Sequence, residues 1–308
     1  MITVQSISNF DKAYPTAITI GTFDGVHIGH RKILERLIKS AKVLGLKSTV
    51  LTFFPHPRMV LQQDMSIQLL NTIEEKVSIM NTLGLDYLII HPFTKEFSRL
   101  SATEFVRDIL VNNLKTKKII IGYDHRFGRN RNADINDLIA FGNILDFEVE
   151  EISALEIDDV SVSSTKIRKA LDIGDIKTAN AYLGYNYMLT GTIVKGKGLG
   201  RKIDFPTANL FIKETYKLIP KNGVYVVKSQ IDGQLVYGMM NIGMNPTVSG
   251  EKRSIEINFF DFQQDLYGKT LQIDIIDRIR DEHKFSSVEA LKTQLIKDKQ
   301  TSLAIISE

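Results

Sequence analysis

Apolar positions in the first half of the chain fall in short, nearly unbroken runs with amphipathic stretches between them. The runs A-I-T-I-G-T-F, S-T-V-L-T-F-F, D-Y-L-I-I-H, K-I-I-I-G and F-E-V-E-E-I have the length of buried strands. Between the first two, Arg31 to Leu44 puts Ile33, Leu37 and Leu44 on roughly one helical face, and Gly45 stands where a C-terminal cap belongs. Thr72 with Glu75, and Ser101 with Glu104, form capping boxes that open two further helices. Gly84 is expected to close the first of these. Nearly all-apolar strands alternating with helices, from Thr16 to about Ile152, predict an α/β unit with a parallel sheet covered on both faces. In such sheets ligands bind at the carboxyl ends of the strands.

Near Leu183–Tyr187 the pattern changes. Asp175 to Leu183 reads as a closing helix capped by Gly184. Strands then follow one another without helices: M-L-T-G-T-I-V-K, G-V-Y-V-V-K-S-Q-I, L-V-Y-G-M-M-N-I, S-I-E-I-N-F-F-D-F and L-Q-I-D-I-I-D-R. Asp232-Gly233 between two of them signals a hairpin. The pattern predicts an all-β, antiparallel barrel or sandwich. A last helix is expected from Ser286, with Glu289 completing a capping box and Val288, Leu291 and Leu295 forming the apolar stripe. The boundary is placed near residue 185, giving domains 1–185 and 186–308.

Composition narrows the chemistry. The chain has 308 residues, 43% hydrophobic and 24% charged, a globular profile. Net charge is +3 from 39 basic and 36 acidic residues, too even to argue for nucleic acid or an acidic membrane. The absence of cysteine excludes disulfides, thiolate catalysis and cysteine metal sites. No signal-peptide pattern opens the chain, and no apolar run approaches the ~20 residues of a membrane helix, so a cytoplasmic location is expected.

Three stretches follow predicted strands in the first half. Ile20 to His30, I-G-T-F-D-G-V-H-I-G-H, reads as strand end, glycine turn and helix start. A helix N-terminus offers free N–H groups and partial positive charge to phosphate. His27 and His30, three apart, can lie on one face there and add donors aimed at the same anion; a metal pair or two surface histidines would show the same spacing. F-F-P-H-P-R (Phe53–Arg58) is a rigid turn or a site loop, and G-Y-D-H-R-F-G (Gly122–Gly128) is the third stretch. Further on, S-S-T-K-I-R-K-A-L (Ser163–Leu171) opens a short helix with Lys166 and Arg168 in its first turns. Cations there oppose the helix dipole and hint at an anionic ligand, although a solvated basic helix is the simpler account.

In the second half, G-K-G-L-G-R-K-I-D-F-P-T-A-N (Gly196–Asn209) starts as a cationic glycine loop. Gly196, Lys197, Gly198, Gly200 and Arg201 can wrap phosphates with backbone N–H groups. It is not a Walker A loop, because the G-K-[ST] ending is missing. Pro206 then fixes the backbone, and Thr207 and Asn209 present neutral oxygens on one side of an extended segment, a donor type that suits Mg²⁺; a turn with a satisfied Asn is the alternative. I-E-I-N-F (255–259) alternates strictly, so Glu256 and Asn258 share one face, about 7 Å apart along the strand.

G-T-F-D-G-V-H-I-G-H resembles the H-x-G-H signature of nucleotidylyltransferases, in the form found in the bacterial riboflavin kinase/FAD synthetase family. P-T-A-N after a glycine-basic loop, G-V-Y (Gly223–Tyr225), N-I-G-M-N-P-T (Asn241–Thr247), D-F-Q-Q-D-L-Y-G (Asp261–Gly268) and I-R-D-E-H-K-F (Ile279–Phe285) resemble the same family, in its order. The resemblance covers essentially the whole chain. It implies a Rossmann-like adenylyltransferase domain and a riboflavin kinase barrel with a closing helix. The implied reactions make FMN from riboflavin and ATP, then FAD and pyrophosphate from FMN and a second ATP, with Mg²⁺ carried by the nucleotide.

Residue by residue, the resemblance implies that His27 and His30 stabilise charge on the α-phosphate, with Gly21, Phe23, Asp24 and Asp124 also near the nucleotide. Ser164, Thr165, Lys166 and Arg168 would hold the leaving pyrophosphate. Thr207 and Asn209 would ligate Mg²⁺–ATP, Glu256 would take the proton from the riboflavin 5′-hydroxyl, and Arg280 and Phe285 would face the flavin. The chain departs from the family pattern at His125 (usually Phe), Ala133 and Asp204 (usually Gly) and Asn258 (usually His). Two other readings stand beside the bifunctional enzyme. In one the barrel only binds flavin and regulates the adenylyltransferase. In the other the chain is a non-enzymatic flavin-binding protein touching RNA, which the near-neutral charge disfavours.

Overall fold

The computed structural model describes residues 1–62, 67–123, 125–153, 162–196, 200–247 and 250–307. The chain divides into two compact units, Met1–Ser163 and Ser164–Glu308.

The first unit is built on a 6-stranded sheet, all parallel: β1 (Ile2–Val4), β2 (Thr16–Ile20), β3 (Lys47–Phe53), β4 (Tyr87–His91), β5 (Thr116–Gly122) and β6 (Glu148–Ile152), in the order β1-β4-β3-β2-β5-β6. Five of these strands match the predicted runs; β1 is too short to stand out as a periodic signal. β2 is buried along its whole length, as a central parallel strand must be. Strand order reverses between β2 and β5, so the crevice at their carboxyl ends is where ligands bind in sheets of this kind.

The intervening helices are α1 (Ile28–Leu44), α2 (Pro57–Leu61), α3 (Ile73–Asn81), α4 (Ala102–Glu104, continuing as a π-helix over Phe105–Asn113) and α5 (Ile135–Leu145). α1 starts three residues before the amphipathic stretch, and Gly45 ends it in the left-handed conformation. Both predicted capping boxes form. Gly84 does not cap α3: Thr82 does, through bonds to Ile79 and Met80 carbonyls, and Gly84 sits two residues on at φ +86 in the turn toward β4.

The second unit opens with α6 (Ser164–Ile173) and α7 (Ile176–Leu183), followed by β7 (Met188–Val194), β8 (Ala208–Phe211), β9 (Gly223–Ile231), β10 (Gln234–Thr247), β11 (Gly250–Phe259) and β12 (Thr270–Arg280). The strands close a barrel in the order β10-β11-β8-β7-β12-β9, antiparallel wherever they pair. Asp232 and Gly233, both at positive φ (+51 and +83), make the predicted hairpin between β9 and β10. This compact unit includes α6 and α7, which pack on the barrel. Asn180 Nδ2 donates to the Ile275 carbonyl (2.9 Å), and Lys221 N donates to the Leu171 carbonyl (3.0 Å).

A closing helix, α8 (Val288–Ser307), covers part of the barrel: Leu295 and Ile306 pack against Phe205, Met239 and Phe260. Its start differs from the prediction. Ser287, not Ser286, caps it, its hydroxyl accepting from Ala290 N (3.1 Å). Val288, at its first residue, is exposed.

Candidate active sites

At the carboxyl end of β2 the chain turns sharply over Gly21–Val26. Phe23, Gly25 and Val26 lie at φ +47, +86 and +35. Gly25 takes this region freely, whereas a β-branched valine does so only when its surroundings impose it. The turn is tied down from several sides. Asp24, buried, accepts from Leu70 N (2.9 Å), and the Thr22 carbonyl accepts from Thr52 Oγ1 (3.3 Å) and Lys76 Nζ (2.7 Å).

α1 then begins with His27 as its N-cap, Nδ1 accepting from His30 N (3.3 Å). In the neutral ring this places the proton on Nε2, leaving a donor. The rings of His27 and His30 stack, with centroids 3.6 Å apart and planes at 15°, and Phe23 meets His30 edge-on at 5.2 Å. Burial pushes His27 down from 6.5 to about 4. Burial first, then the charges of His27 and Lys76, hold His30 well below its ordinary value. Both imidazoles are therefore neutral near pH 7. The buried Nδ1 of His30 has no hydrogen-bond partner among the described residues. The geometry is that of a phosphate seat: a helix start with a neutral donor pair at the switch point of a parallel sheet.

Beside it, aromatic rings gather at the carboxyl ends of β3, β4 and β5. Phe53 lies 5.6 Å from Phe93 and 5.5 Å from Phe97, and Phe105 lies 6.1 Å from Phe127. His125, where the family commonly has Phe, stacks on Phe127 at 6.2 Å and 20°, so it continues the aromatic wall. Ala133 forms a two-way backbone bridge with Phe127 and is not at positive φ, so the usual glycine is not required. Sequence reading did not find this cluster; the phenylalanines of F-F-P-H-P-R and H-P-F-T-K-E-F were its signal. Asp124 lies outside the described residues.

Ser164, Thr165, Lys166 and Arg168 form the first turns of α6, in the second unit; Thr165 and Lys166 are exposed.

In the barrel, Asn209 on β8 stands opposite Glu256 on β11, and Asn241 on β10 stands on Glu256's other side. Thr207 Oγ1 donates to Glu256 Oε2 at 3.4 Å. The alternation of β11 is as predicted: Ile255, Ile257 and Phe259 are buried, and Glu256 is half-buried on the opposite face. Asn258 shares that face, but its Nδ2 donates to the Pro206 carbonyl (2.8 Å), so it braces the P-T-A-N segment. Asp204 takes φ +64 and pairs with Lys292 at 2.7 Å, so the loop keeps its turn without the usual glycine. A Cβ on Gly196 would run into the Asn209 amide, so glycine there lets the backbone lie against that side chain. Gly200 begins a 3₁₀ turn, Gly200–Ile203; Lys197 and Gly198 lie outside the described residues, and Arg201 lies within that turn.

Arg280 grips the buried Asp298 of α8 with two nitrogens (2.9 and 2.6 Å), and its guanidinium lies 5.8 Å from the Phe285 ring. Arg280, which the resemblance puts beside the flavin with Phe285, also holds the closing helix. The residue that sequence reading missed is Lys76, buried on α3 at the turn. Its position in an ordinary amphipathic helix carried no signal.

A parallel α/β unit with a stacked imidazole pair at its switch-point helix start, and an antiparallel barrel with neutral oxygens beside a carboxylate, define a two-module α/β plus all-β protein. Comparison with known proteins agrees. The FAD synthetase family model matches residues 10–166, and the riboflavin kinase family model matches residues 183–306. A bifunctional riboflavin kinase/FMN adenylyltransferase from Listeria monocytogenes is 37% identical, covering 94% of this chain and 92% of that protein. The proteins so named from Bacillus subtilis and Escherichia coli K12 are 34% and 33% identical, covering 95% and 97% of this chain and 93% and 96% of their own lengths. A crystal structure described as a macrolide-efflux protein from Streptococcus pneumoniae is 32% identical and covers 98% of both chains, with a TM-score of 0.88. Among the described residues of this chain no helix is long and apolar enough to cross a membrane.

The chain belongs to the bifunctional riboflavin kinase/FMN adenylyltransferase family. It is an ATP-dependent transferase of flavin-cofactor synthesis, phosphorylating riboflavin to FMN and adenylylating FMN to FAD. The match of both modules favours this over an adenylyltransferase with a merely regulatory barrel.

Proposed function

We propose that adenylyl transfer takes place at the start of α1 and phosphorylation at the Thr207–Asn209–Glu256 face of the barrel. The observation that carries the first assignment is the stacked, neutral His27–His30 pair at the switch-point turn. As the FMN phosphate attacks the ATP α-phosphate, negative charge grows on its oxygens. The imidazole donors and the N–H groups of the helix start stabilise that charge. No covalent intermediate is required. Gly21, Phe23 and Asp24 shape the nucleotide seat. The aromatic wall from Phe53 to Phe127 offers the isoalloxazine an apolar face.

In the barrel, Glu256 takes the proton of the riboflavin 5′-hydroxyl as that oxygen attacks the γ-phosphate. The hydroxyl of Thr207 and the amide oxygen of Asn209 are hard, neutral donors beside the Glu256 carboxylate, which fits Mg²⁺ arriving with ATP. When bound, Mg²⁺ neutralises phosphate charge. Gly196, Lys197, Gly198, Gly200 and Arg201 enclose the phosphates, and Phe285, with Arg280, borders the flavin. A cytoplasmic setting belongs to this reading, and the even charge supports the absence of nucleic-acid partners.

The test is a reaction of the full chain with riboflavin, ATP and Mg²⁺, resolved by chromatography. His30→Ala should abolish FAD while FMN formation continues. Undiminished FAD from that variant would remove the histidine pair from the reaction.

A further inference from the structure

Lys76 is only 6% exposed on α3, where Glu75, Ile79 and Met80 are also buried. Burying an ammonium costs heavily unless a charge or a function compensates. Its Nζ donates to the Thr22 carbonyl (2.7 Å), which Thr52 Oγ1 already serves (3.3 Å), so the hydrogen bond alone does not call for a lysine. Thr22 opens the strained turn that ends in the histidine pair.

We propose that Lys76 is a positioning residue of the adenylyltransferase centre, pinned on the Thr22 carbonyl so that a fixed positive charge stands beside His30 where the nucleotide phosphates arrive. The inference rests on placing adenylyl transfer at the histidine pair. The charged and titratable groups that act with the ammonium are Asp24 from the turn and His30 from the start of α1, while Arg31 on α1 donates through Nε to the Val26 carbonyl (3.4 Å). On α3 itself the neighbouring Glu75 carboxylate accepts from Thr72 N (3.0 Å). Division of labour follows. The lysine holds the charge, and the imidazoles stay neutral and donate hydrogen bonds without repelling it. The protonation states agree: burial lowers Lys76 to about 8, opposed by Asp24, while the Lys76 charge helps keep His30 low.

The full-length chain supplies its own control, because riboflavin phosphorylation resides in the other unit. Lys76→Gln keeps a donor for Thr22 and removes the charge. FMN-to-FAD kcat/KM should fall by about 10²-fold, the order expected for losing one preorganised electrostatic group, with riboflavin phosphorylation unchanged. The pH profile carries the decisive signature. The native enzyme should lose FMN-to-FAD kcat/KM above about pH 8 as Lys76 deprotonates. That alkaline limb should vanish in Lys76→Gln, and the acid limb should move to higher pH because His30 loses a cationic neighbour. Lys76→Arg should keep most of the rate and also lack the alkaline limb, since guanidinium does not titrate there. A Lys76→Gln profile superimposable on the native one overturns the inference, whatever its absolute rate. If that variant does not fold, an alkaline limb surviving in Lys76→Arg overturns it equally. His30→Ala separates the two levels. FAD formation surviving there removes the site assignment itself, whereas its loss there beside an indifferent Lys76→Gln removes only the role of Lys76.

Discussion

In the proposed assignment Glu256 is the base of the kinase reaction. Its carboxylate receives a hydrogen bond from Thr207 and faces Asn209 across the strand pair, so it is oriented before substrate arrives. Removing a general base typically costs about 10²–10⁴-fold. Glu256→Gln should therefore slow riboflavin phosphorylation by that order, with FMN-to-FAD conversion intact when FMN is supplied. Native-like phosphorylation by the folded variant would show that another group takes the proton. Asn258 illustrates what a single position hides. Strand alternation put it on the face of Glu256, and it is there, but its amide is committed to the Pro206 carbonyl. Only the approach of a chain segment fifty-odd residues away in sequence gives it that partner.

Among the elements, α1 joins structure and chemistry in one residue. His27 caps the helix through Nδ1, which leaves Nε2 as the donor in the neutral ring. Asn is among the strongest N-caps, whereas Ala forfeits about 1 kcal/mol. His27→Asn should thus keep the stability of the first unit in thermal or urea unfolding, and His27→Ala should lose about 1 kcal/mol. Both should lose most FAD formation, because neither restores the imidazole donor. Full activity in His27→Asn would mean that the residue serves only as a cap. The start of α1 was partly legible: the glycine turn and the histidine spacing pointed to it, while the apolar stripe began three residues later. Periodicity registers the buried face of a helix, and a first turn whose N–H groups await a ligand has no such face.

For the whole molecule, the division at Ser164 sets what an isolated kinase fragment must contain. Ile167, Leu171 and Leu183 on α6 and α7 are fully buried in the second unit. Burying such a side chain is worth roughly 1.5–3 kcal/mol. A fragment spanning Ser164–Glu308 should phosphorylate riboflavin and melt well above one spanning Tyr187–Glu308. Equal melting temperatures would show that the two helices add nothing to the barrel. The sequence placed the boundary near 185 because texture changes from helix to strand there, and texture does not report which surface a helix packs against.

The order of strands and helices, the parallel and barrel classes, the capping boxes at Thr72 and Ser101 and the Asp232-Gly233 hairpin all lay in the sequence, as did the two histidines and the Glu256 face. Each depends on interactions between residues close along the chain, or on a periodicity of burial that the chain itself displays. Tertiary structure alone decided the rest. It set the neutral state of the histidines, which follows from burial and a cation brought in by α3. It assembled the aromatic wall from three strand ends, committed Asn258 to Pro206 and Arg280 to Asp298, and buried Lys76 against the Thr22 carbonyl. Those features arise where distant segments meet, because desolvation and hydrogen-bond partnership belong to a place in the fold and have no counterpart in residue spacing.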